Sequence, residues 1–482
     1  MEQRDSAGQI LFTTTLEEEL QCPNVVTDDR PEAPNRAPSV YVFNPFAEAH
    51  IARGLSFTPT KHQALLARDL ANLPQFLGRQ DDIVLLPRRP SVEFLRSLQQ
   101  AGFPLPEFVE LDAPSPAPSR GAAPTGMASL AHRPLGRLRP WAWGPDSVQL
   151  LQPLFPNVTG EDRLPAQRFH DGLAQLYSKA WSAEILRQFL AHRREPDDAL
   201  WLCSEDEVGV PVSTLADAEQ AIQAIRRRGH HKIVVKEALG LAGHNSLRLW
   251  EPAVSDAQRR WMDHALQDGR LLVIEPWLER ALDFSVQLEM GPHGLQLCGC
   301  TGLINDLRGQ FQANTADAHH PRRLPAPVLA LLREPAGLAP RLQRLYADLC
   351  ARLEAELRRA GHAGPVSLDA FIYRTPSGPC RLKPVVEINP RYTMGRLTVE
   401  LMKQTSPGSS GTFRLVSRAM AQAEGGADFP AYAAALRARA PLRLDGAPAS
   451  RIREGALCLN DPAQAQVCLA VFQVSRTPQA GS

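Results

Sequence analysis

Three polar residues alternate with apolar ones in the segment VVEINPRY, residues 385–392. Alternation along a strand places the side chains of Glu387, Asn389 and Arg391 on one face. Carboxylate and amide oxygens suit a hard cation such as Mg²⁺, and a guanidinium suits a phosphate. The spacing therefore predicts a site for Mg²⁺ and nucleotide phosphates. An Asp–Arg or Glu–Arg ion pair that bridges a sheet face is the alternative interpretation.

A further carboxylate lies upstream, in the apolar segment VSLDAFIY at residues 366–373. Asp369 needs a partner there, because a lone buried carboxylate is costly. If this strand pairs with the segment VVEINPRY through the turn TPSGP, Asp369 approaches Glu387. Two carboxylates so placed are expected to hold one or two Mg²⁺ ions between phosphates, with Mn²⁺ as a substitute.

Lysine is rare in this chain, with six residues among 53 basic ones. Lys236 ends the predicted strand HKIVVK and is followed by the segment EALGLAGHNS, which contains Gly240 and Gly243. Glycines let backbone N–H groups approach phosphate oxygens, so a lysine delivered into such a loop indicates phosphate binding. The P-loop pattern G-x-x-x-x-G-K-[ST] is absent, and an ordinary hairpin is the alternative interpretation.

The segment LLVIEPWLERALDFSV has the character of a hinge beside a flat ligand. A buried strand that runs into Glu-Pro-Trp-Leu can present backbone groups to a base, with Trp277 and Leu278 as walls. Glu275 or Glu279 can accept a hydrogen bond from an adenine amino group, and Asp283 can bind a ribose hydroxyl. An edge strand with solvated charges is the alternative.

Taken in chain order, the segments SKAW, VVK, VIEPWL, LDAF and VVEINPR resemble the motifs of the ATP-grasp superfamily, and the resemblance covers residues 165–405. It implies that Lys179 and Lys236 hold the α- and β-phosphates of ATP. It also implies that the hinge from Glu275 to Leu278 cradles adenine, and that Asp283 binds ribose. For the later segments, it implies that Asp369, Glu387 and Asn389 carry Mg²⁺ and that Arg391 meets the γ-phosphate.

The reaction implied by the resemblance is acyl-phosphate chemistry: a substrate carboxylate attacks the γ-phosphorus of MgATP, and an amine then displaces phosphate. Arg391 and Lys236 are the expected catalytic residues, with Arg391 stabilising the transferring phosphoryl group or the tetrahedral intermediate. Arg396 is a candidate for orienting a substrate carboxylate, with a solvated arginine at a helix start as the alternative. The segment GCTGLINDLRGQFQANTADAHH is the candidate substrate lid, with Arg308 and Asn314 as candidate contacts.

Two points leave alternatives open: which nucleophile attacks the acyl phosphate, and whether the protein catalyses a reaction at all. A thiol or bicarbonate can replace the amine, although no biotinyl-carrier motif supports the carboxylase version. A nucleotide-binding regulatory protein without turnover is the alternative from a different class. The expected partners are a small-molecule carboxylate and an amine, and a homodimer is one expected assembly because family members are often dimers.

The elements around these residues indicate an α/β (α+β) protein with an ATP-grasp fold, in which two α+β lobes grip ATP behind a small Rossmann-like parallel α/β domain. We expect a flexible segment at 1–36, a pre-ATP-grasp α/β domain at 37–112, a Pro/Ala-rich linker at 113–135, an ATP-grasp domain at 136–405 with a small lobe about 180–275 and a large lobe about 276–405, and a C-terminal extension at 406–482.

Several local features can be compared with the structure. Strand–helix–strand–helix order in residues 39–102 predicts a parallel layer, and Trp141 and Trp143 are expected to be core or interface anchors. The segment ALWLCSED is expected to form short strands or turns, and SPGSSG a flexible start to the tail. The apolar runs GALCLN and QVCLAVFQV are expected to pair back onto the body.

Composition narrows the class of protein. The chain is 44% hydrophobic and 22% charged, as in globular proteins, and its net charge of +1 creates no field for nucleic acid or an acidic membrane. It has no apolar run long enough for a transmembrane helix and no signal-peptide core, so a cytoplasmic location is expected. Its eight cysteines form no C-x-x-C pair and are expected to be free thiols.

Overall fold

The computed structural model describes residues 36–111, 125–159, 164–193, 195, 198–240, 246–305, 311–317, 338–376, 378, 380–446 and 451–476. Over these ranges the protein is a mixed α/β protein with one parallel and two antiparallel sheets. No helix within them combines the length and apolar character that a membrane crossing requires. Most of the expected flexible N-terminal segment, Gly243 and Arg308 lie outside the described residues.

The N-terminal layer is a four-stranded parallel sheet in the order β3-β2-β1-β4, as the strand–helix alternation predicted. Its strands are β1 (Val40–Val42), β2 (Ile83–Leu86), β3 (Glu107–Glu110) and β4 (Leu138–Pro140). Its helices are α1 (Ala47–Arg53), α2 (Lys61–Asp69), α3 (Val92–Gln100), α4 (Thr125–Ala128) and α5 (Pro145–Leu151), with 3-10 turns at Leu73–Phe76 and Gln152–Asn157.

This layer extends further along the chain than residues 37–112. Met127, Leu130 and Leu135 are buried in the same core as β1 and β2. The described part of the predicted 113–135 linker therefore packs against the layer, because its few apolar side chains are spaced to reach that core. Trp141 is 4% exposed, as expected for a core anchor, and Trp143 packs against the core from its edge.

Four helices lead out of this layer: α6 (Pro165–Arg168), α7 (Asp171–Gln175), α8 (Lys179–His192) and α9 (Asp198–Trp201). The last of them corrects the expectation of strands or turns at ALWLCSED. Trp201 is buried at the end of α9, and its neighbour Cys203 donates its backbone N–H to Leu382 O at 2.9 Å. Contacts made with a distant strand therefore decide the local structure here.

The small antiparallel sheet has the order β5-β8-β6-β7. Its strands are β5 (Val210–Val212), β6 (Ile233–Glu237), β7 (Ser246–Leu249) and β8 (Leu272–Pro276), covered by α10 (Leu215–Arg227) and α11 (Asp256–Ala265). Short 3-10 turns lie at Glu205–Glu207 and Gln267–Gly269. Apolar residues from both helices and all four strands share one core, so this unit packs as a lobe of its own.

The large antiparallel sheet has nine strands in the order β13-β12-β9-β10-β11-β14-β17-β16-β15. The strands are β9 (Glu279–Gly291), β10 (Gly294–Asn305), β11 (Phe311–Asp317), β12 (Gly364–Arg374), β13 (Cys380–Asn389), β14 (Ser409–Ser417), β15 (Arg443–Leu444), β16 (Ile452–Cys458) and β17 (Cys468–Arg476). Its helices are α12 (Leu338–Arg359), α13 (Met394–Met402), α14 (Arg418–Ala423) and α15 (Phe429–Arg439).

The two apolar runs of the tail pair with each other and with the body, which confirms that expectation: β17 lies between β14 and β16. The expectation of a flexible SPGSSG segment is wrong. Ser409 begins β14 and is 1% exposed. A Cβ at Gly411 would lie 2.3 Å from Met402 Sδ, so this glycine serves close packing and not flexibility.

The two faces of the large sheet differ in chemistry. Phe284, Val286 and Leu288 alternate along β9 and share a core with the leucines of α12 and with α8. The intervening residues Ser285 and Gln287 face the other way and are buried, together with polar residues of the neighbouring strands. The candidate site lies on this polar face, which is buried at Ser285, Gln287, Thr301, Asn314, Ser367 and Asn389 and half-buried at Asp369 and Glu387.

Candidate functional site

The strand pair β12–β13 brings the two predicted carboxylates together. Asp369 and Glu387 are directly opposite each other in the antiparallel register, which confirms the pairing expected through the turn TPSGP. Asn389 lies two residues further along the same face and donates from Nδ2 to Asp369 Oδ2 at 3.1 Å. Two carboxylates and an amide therefore converge on one buried patch of the polar face.

Lys179 reaches this patch from the first turn of α8. Ser178 caps the helix by accepting a hydrogen bond from the N–H of Ala180, which fixes where the helix begins. The Lys179 ammonium contacts Glu387 Oε1 at 3.0 Å and donates to the carbonyl of Gly240 at 2.7 Å. The first predicted lysine is thus joined to both β13 and the end of the described part of the predicted phosphate loop.

The electrostatics of this ion pair favour both charged forms. Burial by itself lowers the pKa of Lys179, but the carboxylates of Glu387 and Glu48 together outweigh it and the pKa is raised above its ordinary value. Burial by itself raises the pKa of Glu387, but Lys179, Lys236 and Arg391 together outweigh it and that pKa is lowered. Both groups therefore remain charged at neutral pH, ready to contact ions of opposite sign.

Lys236 lies on β6 and contacts the Oε1 atom of Glu275. The other carboxylate oxygen of Glu275 accepts from Lys383 at 2.9 Å, and Lys383 also donates to the carbonyl of Glu207 at 3.0 Å. Burial opposes the charge on Glu275, but the two lysines lower its pKa. The Glu275 carboxylate is thus held inside the chain, and its predicted contact with an adenine amino group stays a prediction.

The predicted hinge joins the two antiparallel sheets. Trp277 follows β8 directly, and its backbone N–H donates to the carbonyl of Lys232 at 2.8 Å. Its ring lies 5.0 Å from the guanidinium of Arg248 and 5.8 Å from that of Arg280. Leu278 is 7% exposed and belongs to the core of the large sheet. The chain thus crosses between lobes with one aromatic wall and one aliphatic wall.

Asp283 lies on β9, near the hinge. Its carboxylate accepts from Arg280 at 2.9 Å. Burial raises the pKa of Asp283, and Arg280 reduces that shift. This carboxylate is partly satisfied within the chain, and the structure leaves its predicted contact with ribose as a prediction.

Arg391, which follows β13, connects this strand to the N-terminal layer. Its Nε donates to Glu48 Oε1 at 2.7 Å, its Nη2 to Asn389 Oδ1 at 3.0 Å and its Nη1 to the carbonyl of Tyr392 at 3.3 Å. Burial by itself lowers the pKa of Arg391, but Glu48, Glu387 and Tyr177 together outweigh it and the pKa is raised. The guanidinium is held in one orientation by three hydrogen bonds.

Glu48 is a residue that the sequence interpretation missed. It lies in the first turn of α1, is 3% exposed, and is separated from Arg391 by 343 positions. The available signal was a glutamate among apolar residues immediately after a buried strand, in NPFAEAH. That signal alone cannot name the partner, because the pair forms only when two sheets pack together.

Two further candidates have different surroundings from those expected. Arg396 is neither solvated nor at the centre of the polar face: it donates to Glu289 Oε2 at 2.8 Å and to Glu400 Oε1 at 2.9 Å. Glu289 also accepts from Arg139 of β4 at 2.6 Å. Asn314 is fully buried on β11, so it belongs to the polar face and not to an open lid.

The residues of the patch fit a divalent cation. Burial and the negative charge of Glu387 raise the pKa of Asp369 to about 6. A dication between the two carboxylates would relieve this repulsion. Within the described ranges, no three His, Cys, Asp or Glu residues gather into a metal-binding group. Mg²⁺ does not require one, since one or two carboxylates with substrate phosphates commonly hold it.

No protein-family model and no curated protein sequence matches the chain. Among solved structures, it is similar to N5-carboxyaminoimidazole synthetase of Staphylococcus aureus in complex with ADP, with 10% identity, a TM-score of 0.45, and coverage of 92% of this chain and 94% of that chain. A biotin carboxylase complex from Campylobacter jejuni has 12% identity, a TM-score of 0.45, and coverage of 92% and 88%. An L-amino acid ligase from Bacillus licheniformis has 11% identity, a TM-score of 0.44, and coverage of 92% and 95%. Likenesses at this level leave the function to be inferred from the geometry of the site.

Proposed function

We propose that the protein is an ATP-dependent ligase of the ATP-grasp type, which activates a substrate carboxylate as an acyl phosphate and joins it to an amine. The observation that carries the proposal is the buried ion pair between Lys179 and Glu387, formed directly opposite Asp369. A lysine from a helix start, two carboxylates and an arginine on one polar face supply the charges that a transferring phosphoryl group requires.

The nucleotide would lie between the small and the large antiparallel sheets, at the hinge. Lys179 and Lys236 would bind the α- and β-phosphates, and Trp277 and Leu278 would contact the base. Asp283 would accept from a ribose hydroxyl. The support for this placement is that Lys236 contacts the hinge residue Glu275, and that Lys179 donates to the carbonyl of Gly240, in the segment that follows Lys236.

Asp369, Glu387 and Asn389 would hold Mg²⁺. When bound, the ion would neutralise phosphate charge and help orient the transferring group. Glu387 keeps its negative charge because Lys179 lowers its pKa, so it needs no proton loss before binding a cation. Asn389 has its amide nitrogen directed to Asp369, which turns its oxygen toward Arg391.

The chemical steps require no side-chain nucleophile. A carboxylate oxygen of the substrate attacks the γ-phosphorus, and ADP leaves. The amine then attacks the acyl carbon and loses a proton, and phosphate leaves. Arg391, held by Glu48 and Asn389, would stabilise the negative charge that develops in either step. Lys236 would contribute a second positive charge from β6.

The test measures ADP and phosphate release from MgATP, with pools of carboxylates and amines as substrates. We expect release that depends on one carboxylate pool and falls by about 100-fold or more in Glu387→Gln. Glu184→Gln is the matched control, because Glu184 lies on α8 near Lys179 in sequence but its side chain is 48% exposed. Absence of MgATP binding, or turnover that Glu387→Gln leaves unchanged, would contradict the proposal.

A further inference from the structure

The carboxylate of Glu48 is only half satisfied. Its Oε1 atom accepts from Arg391, whereas its Oε2 atom is buried and has no hydrogen-bond partner among the described residues. The side chain is 4% exposed, so bulk water does not solvate it. A buried carboxylate oxygen without a donor is costly, and such atoms mark places where a ligand or an ordered water completes the site.

The donors around Glu48 have acceptors other than its Oε2 atom. Lys179 donates to the carbonyl of Gly240 and contacts Glu387, and the guanidinium nitrogens of Arg391 donate to Glu48 Oε1, Tyr392 O and Asn389 Oδ1. The hydroxyl of Tyr177 donates to the carbonyl of Pro390 at 3.2 Å. The amide of Asn44 donates to the carbonyl of Ala142 at 2.8 Å and to the carboxylate of Asp146 at 3.1 Å. None of these donors bonds to Oε2, so a donor from outside this group can complete it.

The position of Glu48 places such a partner beside the proposed reaction centre. Its neighbour Ala47 packs in a small apolar cluster with Ala142 and Tyr177, and Leu239 lies against this cluster. Leu239 directly precedes Gly240, whose carbonyl binds Lys179. An apolar wall thus runs from Glu48 to the loop that would hold the phosphates, with Arg391 along its side.

The chemistry of this corner fits a substrate with two opposite charges. Glu48 Oε2 can accept a hydrogen bond from a cationic group, and the adjacent guanidinium of Arg391 can bind an anion. The cation at Oε2 and the anion at Arg391 would lie close together, because Glu48 Oε1 and Arg391 Nε are joined by a hydrogen bond of 2.7 Å. A single small substrate that carries both charges can therefore satisfy both groups.

We propose that the activated acid is an amino acid, whose ammonium group donates to Glu48 Oε2 while its carboxylate faces Arg391. This assignment rests on the proposed ligase function and narrows its substrate class. Glu48 is then a specificity-determining residue, and its contact with Arg391 fixes the distance between the two recognition points. The apolar wall accommodates the carbon skeleton between them.

The test uses hydroxylamine as the acceptor, because it traps the acyl phosphate as a hydroxamate and removes the need to know the natural amine. Each standard amino acid, β-alanine and 4-aminobutyrate is compared with its deaminated counterpart, such as L-alanine with propionate, in the presence of MgATP. Glu48→Gln keeps an oxygen that accepts from Arg391 but removes the charge, and Glu48→Asp keeps the charge. Glu93→Gln is the control, since Glu93 is an exposed residue in the first turn of α3.

We expect wild type to prefer one amino acid over its deaminated counterpart, and Glu48→Gln to lower kcat/KM for that amino acid by about 30-fold or more. Because Glu48 also holds Arg391, the value for the deaminated acid should fall as well, but the ratio of the two kcat/KM values should fall by about 10-fold or more, and Glu48→Asp should retain part of the preference. Equal losses for both acids, no loss for either, or a wild-type preference for the deaminated acid would overturn the assignment. Failure of wild type to release ADP with every acid would instead contradict the ligase function itself.

Discussion

Replacing Lys383 with methionine tests whether the two lobes are joined by a buried charge. Lys383 lies on β13 and is 3% exposed. Its ammonium contacts Glu275 at 2.9 Å and the carbonyl of Glu207 at 3.0 Å, and it lies 5.9 Å from the centre of the Phe371 ring. It thus connects a strand of the large sheet to β8 and to the turn before β5.

The expected loss of unfolding free energy follows from the Glu275 carboxylate, which loses one of its two lysine partners in Lys383→Met. Removing one partner of a buried ion pair costs about 3–5 kcal/mol, because the remaining charge is uncompensated. Glu275 keeps its contact with Lys236, and the methionine side chain recovers about 1 kcal/mol by filling the apolar part of the space. We therefore expect the free energy of unfolding to fall by about 2–4 kcal/mol.

The assay is denaturant unfolding followed by far-ultraviolet circular dichroism. Lys403→Met is the matched control, because Lys403 also pairs with a glutamate, Glu400 at 2.6 Å, but its side chain is 66% exposed. We expect that variant to lose less than about 1 kcal/mol, as exposed ion pairs do. If the two variants lose the same small amount, Lys383 does not stabilise a buried carboxylate and the reasoning fails.

Two further predictions concern stability away from the polar face. Asp69→Ala should destabilise the protein by about 2 kcal/mol or more, because Asp69 accepts hydrogen bonds from the backbone N–H groups of Val467 at 2.7 Å and Cys468 at 3.0 Å. Denaturant unfolding measures this loss, with Asp81→Ala as the control because Asp81 is exposed. Burial lowers the pKa of His362 from 6.5 to about 4, so between these values the unfolded state binds a proton that the folded state does not. Stability should therefore fall by about 2 kcal/mol between pH 7 and pH 5 through this group, and unfolding measured against pH should show a correspondingly smaller fall in His362→Gln.

The strand pair that carries the carboxylates could be predicted because the information is local. Alternation fixes which side chains share a face, and a short turn leaves few possible registers, so Asp369 falls opposite Glu387. Helix ends were equally accessible. Gly102, Gly229 and Gly361 each follow the end of a helix and adopt φ of 88°, 93° and 69°, a region that favours glycine, so a glycine after an amphipathic segment is a usable end signal.

The remaining contacts of the candidate site join residues that are far apart in the sequence, so no local pattern predicts them. Arg391 and Glu48 meet only because the parallel layer packs against the edge of the large sheet. Lys383 lies on the same strand as Glu387, but its contact with Glu275 depends on how the small lobe packs against the large one. Ser409 was misinterpreted for the same reason, since a strand–strand contact with β17 orders a segment whose composition indicates flexibility.

The contacts between the N-terminal layer and the large sheet could not be predicted from the sequence, and they show which parts of the chain border the candidate site. The N-terminal layer places Glu48 against Arg391 and Arg139 against Glu289, so two charged residues of the large unit have their partners in a different sheet. Tyr392, next to Arg391, donates its backbone N–H to the carbonyl of Trp141 at 2.9 Å. Without this layer, Arg391 would be a buried cation with one fewer partner and a freer orientation, which is costly to stability and unsuited to preorganised stabilisation of charge. The layer therefore borders the candidate site, and the orientation of Arg391 depends on it.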